Sequence, residues 1–539
     1  MATAPTRSAG HAIVEQLVSH GIKRVYGVPG ESYLDVLDGL YEYRDEIDTI
    51  VTRQEGGAAM MAAAYGQVTG IPGVAMVTRG PGATNASIGV HIASQDASPM
   101  VLFIGQIPTF VEQRQAFQEV DYVQMFGGMA KEVLELRESD RAPELVARAL
   151  NVATSGEPGP VVVVLPENVL TQPTDAPIRP RPQLAQVAPA AADIDRVAAA
   201  LAEAERPVIL LDHVGWEAEF EAPLRAFAEA SRIPVVTAVR RQDMLDNASP
   251  AFAGTLGLKT TAGIEARLAE ADVLVLLGAR PDGLTFANAE LGANDITDQR
   301  LIQVYPDADV IGRVYAVEIG IAAPVGAVLA ALPEQVGGAD AREGWFSTMR
   351  EAYLTSYRET AAANEPRIRE YMEAFNKHAA ADAIVTVGAG NYTAWPQRHR
   401  EFAGYPSLIG SASGAMGYGV PAAVAAAFEF PERQVYAFAG DGCFLMNGQE
   451  LSTMHRYGLN VMVIVVNNNR YGTIRAHQDR EYPGRVVGTD LENPDFTALA
   501  RAYGAEARAV STPAEFDAAM AELADRPGLR FIEIDVTDE

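Results

Sequence analysis

One cysteine, Cys443, stands in a chain of 539 residues. No disulfide can form within such a chain, which fits a reducing compartment. Cations are scarce as well. The 42 Lys and Arg face 70 Asp and Glu, a formal net charge of -28. A surface of that sign is repelled by nucleic-acid phosphates and by anionic membrane, so neither is expected as a partner. Long apolar runs are missing: Val161–Leu165 and Val461–Val466 fall far short of the roughly 20 residues a membrane span needs. Met1–Gly10 has no apolar stretch followed by a cleavage site, so no signal peptide is expected and the cytoplasm is the expected location. There is no Gly-x-x-x-x-Gly-Lys-Ser/Thr loop for a nucleotide triphosphate. Gly388-Ala389-Gly390 has Thr393 where a dinucleotide fingerprint carries its third Gly or Ala. No group of His and Cys has zinc-ligand spacing.

What is present is a globular composition, 48% hydrophobic and 21% charged. At roughly 150 residues per domain, the length predicts about three or four domains. Two stretches read as linkers. The first, Pro166 to Ala192, carries Pro166, Pro173, Pro177, Pro180, Pro182 and Pro189, and the second is Pro333–Gly338, ahead of a helical pattern from Trp345. The blocks they separate are 1–170, 190–335 and 345–539. Each block holds Val- and Ile-rich runs without alternation, among them Arg24–Val28, Val74–Thr78, Val101–Ile104, Val208–Leu211, Val273–Leu277, Ile384–Val387, Gln434–Phe438 and Val461–Val466. Such runs suit strands buried on both faces, and their alternation with helical patterns predicts an α/β chain of three doubly wound parallel-sheet domains. Ligands in such sheets sit at the carboxyl ends of the strands.

The third block carries the most specific pattern. The run Gln434–Phe438 leads to Gly440-Asp441-Gly442, and the run Val461–Val466 leads to Asn467-Asn468-Asn469-Arg470-Tyr471-Gly472. Between them the spacing predicts a helix with Asn447 as N-cap, Glu450 completing a capping box and Gly458 as its stop. Asp441, the Asn468 amide and the backbone carbonyl of Arg470 supply hard oxygens, the donors magnesium takes when it shares its shell with a phosphate. Gly440 and Gly442 let the backbone approach that phosphate closely.

This pattern resembles the thiamine-diphosphate (ThDP) enzymes, whose motif is Gly-Asp-Gly followed after about two dozen residues by Asn-Asn; here 24 residues separate Gly442 from Asn467. The likeness extends to the first block, in Tyr26–Glu31, Thr52–Ala59 and Arg79–Asn85. It implies pyrimidine-binding, central and diphosphate-binding domains, with ThDP and Mg2+ as cofactors. It places Gly390, Asn391, Tyr392, Gly414, Met416, Gly440, Gly442, Cys443, Tyr471 and Gly472 against the coenzyme, and Asp441, Asn468 and Arg470 on the metal. Glu55 falls at the family's glutamate, which bonds the aminopyrimidine ring nitrogen and so activates the coenzyme. Met416 falls at the apolar wedge that keeps the coenzyme bent. Because the family's sites form between the first block of one subunit and the third block of another, a homodimer or homotetramer is implied.

Within that family Ala116–Asp121 resembles the acetolactate synthase group and places Gln118 within reach of the reacting carbonyl. Three departures qualify the likeness. His477 stands where that group has a tryptophan. Gly278-Ala279-Arg280-Pro281-Asp282-Gly283-Leu284 lacks the arginine expected to hold an acceptor carboxylate. Glu31 replaces a glycine, and an acid there is suited to protonating an intermediate and to repelling a second anionic substrate. Glu55, Gln118, Glu31 and His477 thus form the candidate catalytic set. The expected reaction joins or breaks a carbon–carbon bond of a 2-oxo acid, by decarboxylation with or without carboligation. A ThDP lyase or transferase acting on an acyl-CoA or aldehyde, and a flavin-linked oxidase of the pyruvate oxidase type, are the alternatives. The flavin (FAD) segment of the middle block is poorly matched, so FAD stays open.

Overall fold

A computed structural model describes residues 7–183, 185, 187–257, 262–281, 283, 285, 299–363 and 366–537. Every run read as a strand from its Val and Ile content is one, and the strands assemble into three six-stranded sheets. Each sheet is parallel throughout.

The first sheet runs, edge to edge, Asp48–Val51, Arg24–Gly27, Gly73–Val77, Met100–Gln106, Pro160–Pro166 and Glu132–Glu135. The middle sheet runs Phe252–Thr255, Val235–Thr237, Pro207–Leu211, Val273–Leu277, Arg300–Tyr305 and Ile319–Ala322. The third runs Leu408–Gly410, Ile384–Val387, Val435–Gly440, Val461–Asn467, Leu529–Asp535 and Glu506–Val510. In all three the chain builds outward to one side and then crosses to the other. That is the doubly wound arrangement, and it opens a crevice at the carboxyl ends of the two strands where the direction reverses.

The first and third blocks share one core. The helix Glu55–Thr69 is rich in Ala and Gly and buried on nearly every face, as expected of a helix with no polar stripe. It packs against Pro81–Gln95 and against the alanine-rich helix Gly419–Glu429. Small side chains permit the approach: a Cβ on Gly89 would lie 2.3 Å from the Ala59 methyl.

Three local expectations change. Part of the proline-rich stretch is ordered structure: Pro166 ends a strand, and Pro173–Thr174 pairs antiparallel with Arg7–Ser8. The helix expected from Trp345 begins at Ala339 and runs to Ala363. Trp345 and Met349 lie in the core of the middle block, and the Trp345 indole donates to the Pro207 carbonyl at 3.0 Å. Asn447 ends the helix Asp441–Asn447 and stands at the N-cap position of the short turn Gly448–Glu450, but its side chain makes no cap bond: its Oδ1 accepts the Gln449 side-chain amide at 3.2 Å and its own amide donates to the Gly417 carbonyl at 3.0 Å. No helix of the described residues is long and apolar enough to cross a membrane.

Candidate active site

In the third sheet Ile384–Val387 lies beside Val435–Gly440, while Leu408–Gly410, which comes between them in sequence, lies on the far side. The crevice therefore falls between Gly388-Ala389-Gly390 and Gly440-Asp441. A cavity of about 560 Å3 opens there. All thirteen residues placed on the coenzyme or metal line it: Gly390, Asn391, Tyr392, Gly414, Met416, Gly440, Asp441, Gly442, Cys443, Asn468, Arg470, Tyr471 and Gly472.

The cavity wall explains its own residue types. Gly414 holds φ +65°, a left-handed conformation, with open space where a Cβ would stand. At Gly442 a Cβ would meet the Tyr471 ring at 2.5 Å, so only glycine leaves the backbone accessible there. Met416 is half-buried and packs on the core below. The helix Gly472–Glu481 starts at the rim, where Gly472, Thr473 and Ile474 of its first turn line the space and the Gly472 N–H donates to the Arg470 carbonyl at 2.9 Å. Cys443 is buried, receives the Gly417 N–H at 3.1 Å and lies 3.0 Å from the Tyr392 hydroxyl. Burial holds the Tyr392 phenol well above its ordinary range, with the neighbouring Cys443 adding to it. Both side chains belong to the cavity wall.

Asp441 is 3% exposed. Burial raises its carboxyl above the usual range, while N–H donors from Gly442 and Asn493 oppose that shift. The Asn468 amide oxygen, 3.2 Å from the Arg470 N–H, lies on the turn at the end of the next strand. The available donors are a carboxylate, an amide oxygen and a backbone carbonyl, and no cluster of three His, Cys, Asp or Glu suited to a metal occurs among the described residues. This oxygen set fits a hard cation that shares its shell with phosphate oxygens, as magnesium does.

The catalytic candidates lie elsewhere. Glu55 opens its helix in the first block, half-buried, and its Oε2 accepts from the Asn85 amide at 2.9 Å. Glu31 and Arg79 follow Arg24–Gly27 and Gly73–Val77, the strands flanking the first sheet's own switch point, and pair at 2.7 Å. Gln118 has φ +64° and packs over Gly80, whose Cβ would meet it at 2.8 Å. None of the residues lining the cavity comes from the first block. One chain thus carries two half-sites.

These motifs, spacings and donors coincide with three family descriptions. Residues 7–125 match "Thiamine pyrophosphate enzyme, N-terminal TPP binding domain", 194–332 its "central domain" and 388–534 its "C-terminal TPP binding domain". The chain is 31% identical to the acetolactate synthase large subunit of Parasynechococcus marenigrum, over 94% of its own length and 84% of the relative's. The chain belongs to the thiamine pyrophosphate enzyme family. The Corynebacterium glutamicum acetolactate synthase large subunit is likewise 31% identical, over 97% of this chain and 86% of that one. The isozyme 1 large subunit of Escherichia coli is also 31% identical, over 98% and 93%.

Two of the catalytic candidates stand away from the cavity. His477 is exposed and does not line the cavity; its Nδ1 lies 2.7 Å from Arg480 Nη2, while its helix neighbours Arg475, Ala476 and Asp479 line the wall. The helical period turns the position outward, to the face where Arg480, three residues on, also lies. Glu31 is not a free acid. Its side chain is 69% exposed and engaged by Arg79, which also holds Glu167 at 3.0 Å. In the middle block, Asp282 and Leu284 lie outside the described residues. The middle sheet has the strand order of a dinucleotide fold, but its first strand is followed by Asp212-His213-Val214-Gly215-Trp216 and no glycine fingerprint.

Sequence reasoning missed Asn85, Asn493 and the role of Glu450. Glu450 is fully buried and accepts the Arg53 N–H, at 3.1 and 3.3 Å to its two oxygens, beside the start of the Glu55 helix. Asn85 closes the segment Arg79–Asn85 and Glu450 sits in the expected capping box, but the contacts that set their roles, to Glu55 and to the Arg53 N–H, come from packing and only the folded chain reveals them.

Proposed function

We propose that this chain is a ThDP- and magnesium-dependent enzyme that makes or breaks a carbon–carbon bond beside the carbonyl of a 2-oxo acid, by decarboxylation with or without carboligation. One observation carries the reading: the glycine-walled cavity at the third sheet's switch point, with Asp441, Asn468 and Arg470 together on its lining. In this reading Asp441, the Asn468 amide and the Arg470 carbonyl hold the metal. Gly390, Asn391, Gly440 and Gly442 give the diphosphate its close backbone approach, and Met416 supports the coenzyme from below. The bound coenzyme supplies a carbon nucleophile and an electron sink.

Glu55 does the proton work, at the pyrimidine ring nitrogen. Its carboxyl can hold or give up a proton, while Asn85 fixes Oε2 at 2.9 Å and leaves the other oxygen to the ring. Gln118 orients the reacting carbonyl. Since the cavity and Glu55 do not meet within one chain, two copies complete each site, in a dimer or tetramer.

The test incubates the full chain with ThDP and magnesium and a panel of 2-oxo acids, following carbon dioxide and products by mass spectrometry. Carbon dioxide release that requires both cofactors is expected. Turnover of acyl-CoA or aldehyde donors alone would replace the substrate reading, and failure to bind ThDP would overturn the whole.

A further inference from the structure

We infer that Asn493 is a positioning residue of the metal site, whose side-chain amide ties the Asp441 carboxylate to the Asn467–Asn469 turn and presets the gap between two strand ends for a divalent cation. The inference rests on the ThDP–magnesium reading above. Asn493 Nδ2 donates to Asp441 Oδ2 at 2.8 Å and lies 3.0 Å from Asn467 Oδ1 and 2.9 Å from Asn469 Oδ1. One oxygen comes from the end of Val435–Gly440 and two from the end of Val461–Asn467, strands that pair directly.

An amide nitrogen has two hydrogens, so three acceptors crowd around two donors. Without the amide, the Asp441 carboxylate would keep only backbone N–H donors from Gly442, Asn469 and Arg470, Asn467 Oδ1 would keep the Asn469 N–H at 3.1 Å, and no side chain would link all three oxygens. Asp441 and the turn that carries Asn468 would then be held less closely, by backbone contacts alone.

Asn493 is itself held in place. The segment before it straps the metal turn through its backbone: Tyr471 N–H donates to the Thr489 carbonyl at 2.9 Å, and Leu491 N–H to the Asn469 carbonyl at 2.8 Å. Arg470 and Asp490 form an antiparallel bridge, and Asp490 is ion-paired with Arg475 at 2.8 Å. The strapped turn includes Asn469 at φ +52°, a left-handed conformation that a non-glycine residue keeps only when its surroundings hold it. Asn493 does not line the cavity, so it acts through Asp441 and not on a ligand. Partners of this kind, bound to a metal ligand, typically govern about ten- to a hundredfold in metal affinity.

The experiment titrates magnesium into the full chain at fixed ThDP and follows coenzyme binding by calorimetry, with apo melting as a second readout. Asn493→Ala, and Asn493→Leu with the same branched shape but no N–H, are expected to raise the magnesium midpoint about tenfold or more. Saturating magnesium should restore both ThDP binding and kcat, and the exposed neighbour variant Glu492→Gln should match wild type. A merely structural role would lower apo melting and leave the midpoint of the folded protein in place, and that result, in whichever variant folds, overturns the inference. Wild type without magnesium-dependent ThDP binding would overturn the proposed function as well; normal wild-type binding with an unmoved variant midpoint overturns only the role of Asn493.

Discussion

Arg79 Nη2 donates to Glu31 Oε1 across 2.7 Å, and the two residues follow the strands on either side of the first sheet's switch point. The pair is lopsided: the Arg79 side chain is 9% exposed and that of Glu31 69%. Arg79 is anchored from below by Glu167, so Glu31 is the removable partner.

Glu31→Gly is therefore expected to leave stability within about 1 kcal/mol, because Arg79 keeps Glu167. It frees half of the guanidinium fork for an anionic acceptor and removes the acidic side chain that competes with one for Arg79. The ratio of aldehyde to 2-hydroxy ketone product, at fixed 2-oxo acid, should fall. An unchanged ratio with turnover retained would make Glu31 a surface acid.

Glu55→Gln should bind ThDP nearly as wild type does and lose most activity. The amide preserves the shape and the contact with Asn85 but cannot exchange a proton with the pyrimidine as a carboxyl does. Hydrogen–deuterium exchange at the thiazolium carbon should slow by orders of magnitude, each tenfold being about 1.4 kcal/mol of barrier. Exchange at the wild-type rate would remove Glu55 from the mechanism.

Asp441→Ala and Asn468→Ala should abolish magnesium-dependent ThDP binding while leaving the fold intact, since both sit on cavity walls and not in the sheet's core. Losing one oxygen ligand leaves a dication underneutralised beside a diphosphate. Calorimetric affinity equal to wild type in either variant would sink the metal assignment.

Asp243→Asn probes the joint between the middle and third blocks. Asp243 Oδ2 accepts the N–H groups of Ser407 and Leu408 at 2.8 and 2.9 Å. Burial pushes its carboxyl up from 3.8 to about 6, against those donors and Arg241. The folded chain thus binds this proton more tightly than the unfolded chain, so the group's contribution is fully present below about 4 and is lost as pH rises to about 6. The loss is on the order of 3 kcal/mol. Asparagine keeps an acceptor and never ionises, so the variant should lose less stability than wild type between those pH values, as read by denaturant midpoints. Parallel wild-type and variant profiles would refute the assignment.

The sequence by itself determined the strands, the doubly wound class and the coenzyme half-site. Val- and Ile-rich runs without alternation suit strands covered on both faces, and Gly440–Gly442, Asn468 and Arg470–Gly472 line one cavity because each segment follows or ends such a strand. Local rules failed where another partner took the side chain. Asn447 stands at the start of its turn without a side-chain cap, its Oδ1 taking the Gln449 side-chain amide, and Glu450 left its expected capping box for the Arg53 N–H, 397 residues away in the chain. Helical phase turned His477 outward, and a guanidinium from the neighbouring strand end captured Glu31. The place of Asn493, and the contact of Asn85 with Glu55, became visible only with coordinates. A single amide carries no periodicity and no motif; its meaning lies in which oxygens the folded chain brings within hydrogen-bond distance, and only tertiary packing sets that distance.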